Sequence, residues 1–421
     1  MKILLVNNYW YLRGGCERVM FNDMEALRSN GIEVIPFSAA DPDNVLTDYD
    51  HYFVPGADIR ATNPFTKIEA ALDAIHCRRT AQAFARILED TKPDVVHCHN
   101  IYGRLSTSIL GVLKKRQVPL VLTVHDYKVA CPSYLMLRDG KPCSACIDGG
   151  YYRCATSRCH KNNLAASVVY AIEAYYARFS GHYAAVSAFL CPSNFTADLL
   201  RRSGVEESRV IYHPNGVEPN NYTPSYAGTY VLSVGRLSHE KGLPTFLEAM
   251  LGTDIPVKIA GTGPMEGALR EMAYKDGGRI TFEGHCGGAR LAELYRNAAF
   301  VVVPSEWYEN APMSVLESFA YGKPVIGTRI GGIPELISEG ENGLLVHPGA
   351  KEDLRAAVGH LWADRSAQER MGRNARLMIE TKFAQRTRTE SLLRIYDSLG
   401  RSCGRVSTSS LVGMPLRQPR A

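Results

Sequence analysis

The chain has 421 residues, 45% of them hydrophobic and 22% charged, which is long enough for two domains and too apolar for wholesale disorder. Its formal charge is +5, but four arginines and no acidic residue fall in residues 401–421, so the rest is almost neutral. This distribution argues against nucleic-acid binding by the folded part and predicts a basic, disordered tail.

The N-terminus and the cysteines indicate the compartment. Only four apolar residues follow Lys2, which is typical of a first buried strand and too short for a signal peptide. No run approaches the roughly 18 apolar residues of a membrane span. We therefore expect a cytoplasmic protein, in which the eleven cysteines are thiols or metal ligands before they are disulfides.

Short apolar runs alternate with longer amphipathic stretches, such as residues 17–30 and 67–90, in two series. The predicted strands of the first series are 2–7, 33–38, 95–97, 120–124, 182–186 and 210–212. Those of the second are 230–234, 257–260, 279–282, 300–303, 324–327 and 344–346. The alternation predicts an α/β protein with two doubly wound parallel sheets that face a central cleft. Ligands in such sheets bind beyond the carboxyl ends of the strands.

The turn-rich segment 215–221 sets the predicted domain boundaries. The first domain is expected over residues 1–215, with a cysteine-rich insert at about 131–160. The second is expected over 216–385. A helix over 386–400 is expected to cross back to the first domain, ahead of the basic disordered tail at 401–421.

Two features of the first domain each leave two interpretations open. Gly14 and Gly15 precede a predicted helix, where backbone N–H groups and the helix dipole can bind an anion, but a tight turn is the simpler interpretation of this feature alone. His125 ends a predicted strand where ligands bind in this class, yet it can also be a satisfied histidine at the sheet edge.

A loop after the first strand of the second series carries two cations five residues apart. Arg236 can contact a phosphate with two N–H groups, and Lys241 adds a point charge, so that together they can hold a diphosphate. A solvated basic loop is the alternative.

Two carboxylates eight residues apart, Glu309 and Glu317, flank the start of a helix expected over residues 313–321. A proline suits its first turn, and a glycine follows its last. The spacing suits hydrogen bonds to two sets of sugar hydroxyls, although Glu309 can instead be a cap and Glu317 a surface residue. Free N–H groups are expected near the helix start, at Ala311, Met313 and Ser314.

Taken together, these segments resemble the retaining family 4 glycosyltransferases of bacterial polysaccharide biosynthesis, which have the GT-B fold of two Rossmann-like domains. The most specific stretch is ENAPMSVLE at 309–317, which is similar to the family's E-x7-E signature. AYGKPVI at 320–326, GGIPE at 331–335 and PNGVE at 214–218 also resemble family segments. The resemblance extends over nearly the whole chain, from Gly14 to Val346.

The resemblance implies catalytic roles for four residues. Arg236 and Lys241 would neutralise the diphosphate leaving group. Glu309 would contact hydroxyls of the donor sugar, and His125 would contact that sugar near the reaction centre.

It also implies how the rest of the donor is bound. Glu317 would hydrogen-bond the ribose, while the base would rest near Gly263 and His285. The remaining donor contacts would come from the two loops at the helix starts, at Gly14, Gly15, Ala311, Met313 and Ser314.

The implied reaction moves a sugar from a nucleotide-diphosphate sugar to a glycan or lipid-linked acceptor, with retention of anomeric configuration. The acceptor would bind the first domain, with peripheral contact at the inner face of the cytoplasmic membrane and no nucleic-acid partner. No divalent cation is expected, because Arg236 and Lys241 can do its work. The D-x-D at Asp41 and Asp43 reads as turn chemistry.

Two alternatives remain. A GT-B nucleotide-sugar epimerase or hydrolase is disfavoured by the Glu309–Glu317 spacing combined with Arg236 and Lys241. A metal-stapled nucleic-acid-binding protein is disfavoured by the nearly neutral charge of residues 1–400.

Five cysteines are concentrated in the insert: Cys131, Cys143, Cys146, Cys154 and Cys159. A C-x2-C start followed by two more thiolates can form a structural zinc site, with Cys131 as a fifth candidate. The second pair lacks the zinc-ribbon spacing, so an iron–sulfur cluster and an irregular loop with buried thiols stay open. The resemblance gives the insert no role, because family 4 enzymes generally lack it.

Overall fold

The structure is a computed structural model that describes residues 1–56, 64–274 and 277–402. All but the first two residues of the predicted tail therefore lie outside the described residues. No helix in the described part of the chain is long and apolar enough to cross a membrane.

Parallel strands form the core of the first domain, and each reads as an apolar run because both faces of the sheet are covered. The parallel strands are β1 (Lys2–Asn7), β2 (Glu33–Ala40), β3 (Val54–Pro55), β4 (Val95–Cys98), β5 (Leu120–Thr123), β8 (Ala188–Cys191) and β9 (Val210–Tyr212). Strands β6 (Leu137–Arg138) and β7 (Lys141–Pro142) form a separate antiparallel hairpin. The seven-stranded sheet has the order β3-β2-β1-β4-β5-β8-β9, so the strand order reverses between β1 and β4.

The helices of this domain are α1 (Gly15–Ser29), α2 (Pro64–Ile75), α3 (Arg78–Thr91), α4 (Ser108–Arg116), α5 (Tyr152–Thr156), α6 (Leu164–Phe179) and α7 (Asn194–Arg202). α1, α3 and α7 contact strands of the sheet, whereas α2 and α5 pack on α6. The amphipathic stretch 67–90 thus forms two helices. The strand predicted at 182–186 is wrong, because Gly181 adopts φ 62° and starts a 3-10 turn over His182–Ala185. The next four apolar residues, Ala188–Cys191, form the strand that pairs with β5.

The second domain repeats the architecture with β10 (Tyr230–Val234), β11 (Val257–Ala260), β12 (Ile280–Gly284), β13 (Ala298–Val303), β14 (Val325–Thr328) and β15 (Gly343–Val346). Their order is β12-β11-β10-β13-β14-β15, all parallel. The helices are α8 (Leu243–Met250), α9 (Glu266–Ala273), α10 (Gly288–Asn297), α11 (Met313–Ala320), α12 (Ile333–Leu336), α13 (Lys351–Ala363) and α14 (Arg365–Thr381). The predicted α/β class with two doubly wound sheets is confirmed.

A last helix, α15 (Gln385–Ser402), packs on the first domain. Leu392 and Tyr396 join the apolar cluster under β1. The guanidinium of Arg388 lies 2.7 Å from the carboxylate of Asp23 on α1, and both side chains are almost fully buried. The second domain is therefore inserted between two parts of the first.

Candidate active site

The loops that follow β10 and β13 bring three of the predicted residues together. Arg236, Lys241 and Glu309 line one cavity of about 30 Å³, together with Ser314 from the first turn of α11. The ammonium Nζ of Lys241 lies 2.7 Å from Oε1 of Glu309. The hydroxyl of Ser305 donates to the same oxygen at 2.5 Å.

Glu309 is buried, and burial by itself would raise its pKa. The charge of Lys241 and the hydrogen bonds from Lys241 and Ser305 outweigh that effect and lower the pKa of Glu309 below its ordinary value. The carboxylate therefore stays ionised at neutral pH and can accept hydrogen bonds from hydroxyl groups.

Two helix starts face each other across the cleft. α1 begins after Gly14 and α11 after Pro312, and neither start has a side-chain cap. A Cβ on Gly15 would lie 3.6 Å from Cγ of Met313, which shows how closely the two loops approach. The uncapped N–H groups of both helices turn positive ends toward the same space.

Close backbone contacts hold the loop of Arg236 and Lys241 in place. Gly242 has φ 66°, and a Cβ there would lie 1.9 Å from the carbonyl oxygen of Pro304. A Cβ on Gly263 would lie 2.3 Å from the carbonyl oxygen of Leu237. Gly263, predicted near the base, thus allows the loop after β11 to pack closely against the loop of Arg236 and Lys241. His285, also predicted near the base, is exposed just after β12.

Glu317 is not the surface residue of the alternative interpretation, because only 6% of it is exposed. Its carboxylate lies 3.3 Å from Nη1 of Arg18, on the first domain, and accepts a hydrogen bond from Tyr295. Burial raises the pKa of Glu317, and the charge of Arg18 opposes this in part. Glu317 lines a larger cavity of about 270 Å³ between the domains, with Arg18, Tyr222, Gly288 and Tyr295.

His125 follows β5 and belongs to a chain of imidazoles. Its Nε2 lies 2.8 Å from Nδ1 of His99. His97, next to His99, contacts Tyr396 of α15 at 2.6 Å and Thr123 at 2.7 Å. Burial lowers the pKa of His125 to about 3, so this imidazole is neutral at physiological pH.

Some residues at the cleft carry no local signal in the sequence. Arg18 lies on a helix face of ordinary composition, and its contact with Glu317 joins two domains. Asn310 lies inside the ENAPMSVLE stretch, and its role depends on contacts with the first domain. Its amide nitrogen donates to the carbonyl of Val124 at 2.6 Å, and its amide oxygen accepts from Thr196 at 2.5 Å. Asn310 thereby fixes the Glu309 loop against the end of β5.

Asp41 of the D-x-D forms an ion pair with Arg104 at 2.8 Å and accepts the backbone N–H of Asp43, as a turn residue does. The five cysteines of the insert line a single cavity. Among the described residues, no three His, Cys, Asp or Glu side chains already stand where they could hold a metal ion, so metal binding stays a prediction.

Comparison with known proteins identifies the class. The family model described as Glycosyltransferase Family 4 matches residues 13–221, and that described as Glycosyl transferases group 1 matches residues 224–378. The two matches together take in both domains. The chain belongs to these glycosyltransferases and is an enzyme of that class.

Relatives and solved structures agree with this assignment. An uncharacterised glycosyltransferase of Methanocaldococcus jannaschii is 24% identical over 88% of this chain and 91% of its own. A D-rhamnosyltransferase of Pseudomonas aeruginosa is 34% identical over 43% of this chain and 50% of its own.

Among solved structures, sucrose-phosphate synthase of Thermosynechococcus elongatus matches with a TM-score of 0.70 at 20% identity, covering 95% of this chain and 99% of that one. HepE of Anabaena, solved in complex with UDP, matches with a TM-score of 0.67 at 17% identity, covering 94% and 100%. The predicted GT-B fold is confirmed.

Proposed function

We propose that the protein transfers a sugar from a nucleotide-diphosphate sugar, with retention of configuration, to a glycan or lipid-linked acceptor in cell-surface polysaccharide synthesis. The observation that carries the proposal is the ion pair of Lys241 and Glu309 in a cavity that Arg236 and the first turn of α11 also line. Support for the donor comes from HepE of Anabaena, which was solved with UDP and with UDP-glucose.

The residues fit the charge that develops in such a transfer. Cleavage of the glycosyl–phosphate bond leaves negative charge on the diphosphate and positive charge on the sugar ring. Arg236, Lys241 and the starts of α1 and α11 stabilise the diphosphate, so that no divalent cation is needed. Glu309 holds sugar hydroxyls, and the neutral His125 contacts the sugar without adding positive charge beside the ring.

Retention follows in this proposal from reaction on one face of the sugar. The acceptor hydroxyl approaches the side from which the diphosphate departs, and its proton passes to a phosphate oxygen as the new glycosidic bond forms. No protein nucleophile is required for this route, and the protein's part is to position donor and acceptor and to stabilise charge.

Nucleotide binding and product stereochemistry test the function. UDP, GDP, ADP and dTDP, each added alone, are compared by thermal denaturation, and we expect one to raise the melting temperature most. The matching nucleotide sugar is then supplied with candidate acceptors, and the anomeric configuration of the product is read by NMR. An inverted product, or stabilisation by none of the four, would contradict the proposal. Free sugar in the presence of a competent acceptor would indicate a hydrolase.

The first domain also offers a surface that suits a lipid-linked acceptor. Large apolar side chains are exposed on the adjacent helices α2 and α6, namely Ile68, Leu72, Leu164, Val168, Ile172 and Phe179. The only acidic residue between residues 152 and 180 is Glu173, which is buried against Lys128. The exposed charges beside the apolar residues of α6 are therefore basic, including Lys161 and Arg178. On α2, Glu69 and Asp73 are paired with Arg79. We propose that this face rests on an anionic membrane.

Vesicle sedimentation tests that contact. The full chain should sediment with vesicles of phosphatidylcholine and phosphatidylglycerol more than with phosphatidylcholine alone. Replacing Ile172 and Phe179 together by aspartate should release it, whereas Leu377→Asp, at an exposed leucine of the second domain, should not. Equal sedimentation of all three proteins would refute the proposed surface.

A further inference from the structure

The cysteine-rich insert has little regular structure to hold its shape. Between residues 131 and 163 the described elements are the hairpin β6–β7, with two residues in each strand, and the five-residue helix α5. Six non-glycine residues adopt left-handed backbone conformations, which L-residues disfavour: Tyr134, Met136, Asp139, Arg158, Lys161 and Asn162. Local preferences alone do not explain this conformation.

The apolar core of the insert is also small. Cys146, Tyr151 and Cys154 pack against two alanines of α6, and these five residues form the buried cluster. Small units with so few buried side chains usually depend on a metal or on disulfides. The ten cysteines in the described ranges are all free thiols.

All five cysteines of the insert nevertheless meet at one place. They come from three separate stretches of the insert and line one cavity of about 10 Å³. The backbone N–H of Cys159 donates to the carbonyl of Cys154 at 3.1 Å, and the thiol of Cys131 lies 3.3 Å from the hydroxyl of Ser133. Five thiols around one space are a donor set of the kind that soft metal ions prefer.

The size of the cavity selects among metals. A cavity with a volume of roughly 10–15 Å³ has room for about one water molecule. A space of this size suits one ion better than a cluster of several iron and sulfur atoms. Zinc accepts four thiolates at about 2.3 Å without further ligands.

The insert touches both second-domain loops of the active site. Tyr127, at its base, packs with Met136 and Ile147 against Trp307 and Tyr308, and donates a hydrogen bond to the carbonyl of Tyr308 at 2.8 Å. At the tip of the hairpin, a Cβ on Gly140 would lie 3.4 Å from the ring of His239. Tyr308 directly precedes Glu309, and His239 lies two residues before Lys241.

We propose that Cys143, Cys146, Cys154 and Cys159 bind one structural Zn²⁺ and that the metal holds the insert as a brace against these two loops. Cys131 lines the same cavity, with its thiol 3.3 Å from the hydroxyl of Ser133. We assign the ligands to the other four cysteines, because a tetrahedral zinc takes four thiolates. The predicted effect of the metal on donor binding rests on the proposed function. The metal site itself stands apart from any activity.

Elemental analysis of the full chain tests the site directly. Protein purified under reducing conditions should contain one zinc per chain. Cys143→Ser and Cys154→Ser should lower the content by at least tenfold, while Cys131→Ser should keep it. Cys77→Ser, a buried cysteine of the same domain outside the insert, is the matched control. Wild-type protein without stoichiometric zinc, or with disulfides among these cysteines by thiol titration, would overturn the site.

Cobalt substitution covers the case in which a variant fails to fold. Wild-type protein stripped with a chelator and refilled with Co²⁺ should show the intense visible absorption of a tetrahedral thiolate site. Absence of that absorption in refilled, folded protein would count against the four-thiolate assignment.

The brace is tested by donor binding in the same preparations. Stripping should weaken affinity for the stabilising nucleotide sugar several-fold, and Zn²⁺ alone should restore it. Unchanged affinity after complete removal of zinc would refute the brace and leave the metal site intact. Lack of binding by any nucleotide sugar, with zinc present, would instead refute the proposed function.

Discussion

The two sides of the cleft carry charge in different ways. On the second domain, Lys241 and Glu309 meet as an ion pair at the cavity wall, with Arg236 beside them. On the first domain, the groups at the strand ends are His99 and His125, and burial keeps both neutral by lowering the pKa. The difference indicates a division of work. In the proposed function, the second domain supplies the side-chain cations for the departing diphosphate, and the first domain adds the start of α1 and uncharged imidazoles near the sugar.

The largest expected effect is on the charged side. Lys241→Ala removes a cation from the diphosphate site and leaves Glu309 buried without its partner. We expect transfer to fall by about a thousandfold, or ~4 kcal/mol of barrier, with the fold retained. Steady-state kinetics measures the transfer rate, and circular dichroism shows whether the fold is retained. Lys351→Ala, which breaks an exposed pair with Glu248 in the same domain, should leave turnover unchanged. Turnover near that of the wild type in Lys241→Ala would show that the charge is not used.

The next effect concerns stability on the first-domain side, where the ion pair of Asp23 and Arg388 at α15 is almost fully buried. Burial alone would raise the pKa of Asp23, but Arg388 outweighs it and lowers the pKa. The pair therefore stabilises the fold above the ordinary aspartate pKa of about 4, and the contribution is lost as pH falls below it. Asp23→Asn should lower the free energy of unfolding by about 3 kcal/mol at pH 7.

Urea unfolding at pH 7 and at about pH 3 measures the free energy of unfolding. The difference in this free energy between wild type and Asp23→Asn should be smaller at the lower pH. Asp397→Asn is the matched control, because it breaks a solvent-accessible pair with Arg401 on the same helix. Its cost should be under about 0.5 kcal/mol. An equal cost for both substitutions would mean that burial of the first pair does not matter.

A smaller effect is expected where the two sides meet. Glu317 of the second domain contacts Arg18 of the first and lines the larger cavity. Glu317→Gln keeps the shape but weakens hydrogen bonds to ribose, so we expect about tenfold weaker nucleotide binding, or ~1.4 kcal/mol, with kcat little changed. Isothermal titration measures the affinity. Glu248→Gln, at an exposed position, serves as control. A fall in kcat without weaker nucleotide binding would show that Glu317 acts in the chemical step and not in binding.

The smallest effect is expected from pH. Because the pKa of His125 is lowered to about 3, this imidazole gains a proton only in strong acid and stays neutral from about pH 5 to 8. The pH profile of kcat/KM should therefore have the same shape in wild type and in His125→Asn, although the rate is lower in the variant. An acid limb near pH 6.5 that disappears in the variant would show that His125 is charged and would remove the contrast between the two sides.

Local signals predicted the elements whose shape is decided locally. α11 runs over Met313–Ala320, close to the expected 313–321, because Pro312 starts it and Gly322 ends it. The strand expected at 182–186 failed since two apolar runs follow each other, and only the pairing with β5 decides which one is the strand. A periodicity argument cannot see that pairing.

The site residues also differ in whether a local motif or long-range packing determines their positions. Lys241 and Glu309 each had a local motif, and the sequence suggested that both lie in the cleft. Their direct pairing, the contact of Arg18 with Glu317 and the stacking of His99 on His125 depend on packing between distant segments. The burial that lowers the pKa of His125 likewise exists only once the sheet and α15 are assembled.

One detail of the connection between the domains has a consequence for engineering. The chain leaves the first domain at Val217 and returns at Ala384, and these residues form a β-bridge with backbone hydrogen bonds of 2.9 and 2.8 Å on either side. The two ends of the second domain are therefore neighbours, as they are in domains that tolerate excision or circular permutation. We therefore expect that residues 217–384 fold when expressed alone, and that a homologous domain can replace them at this bridge.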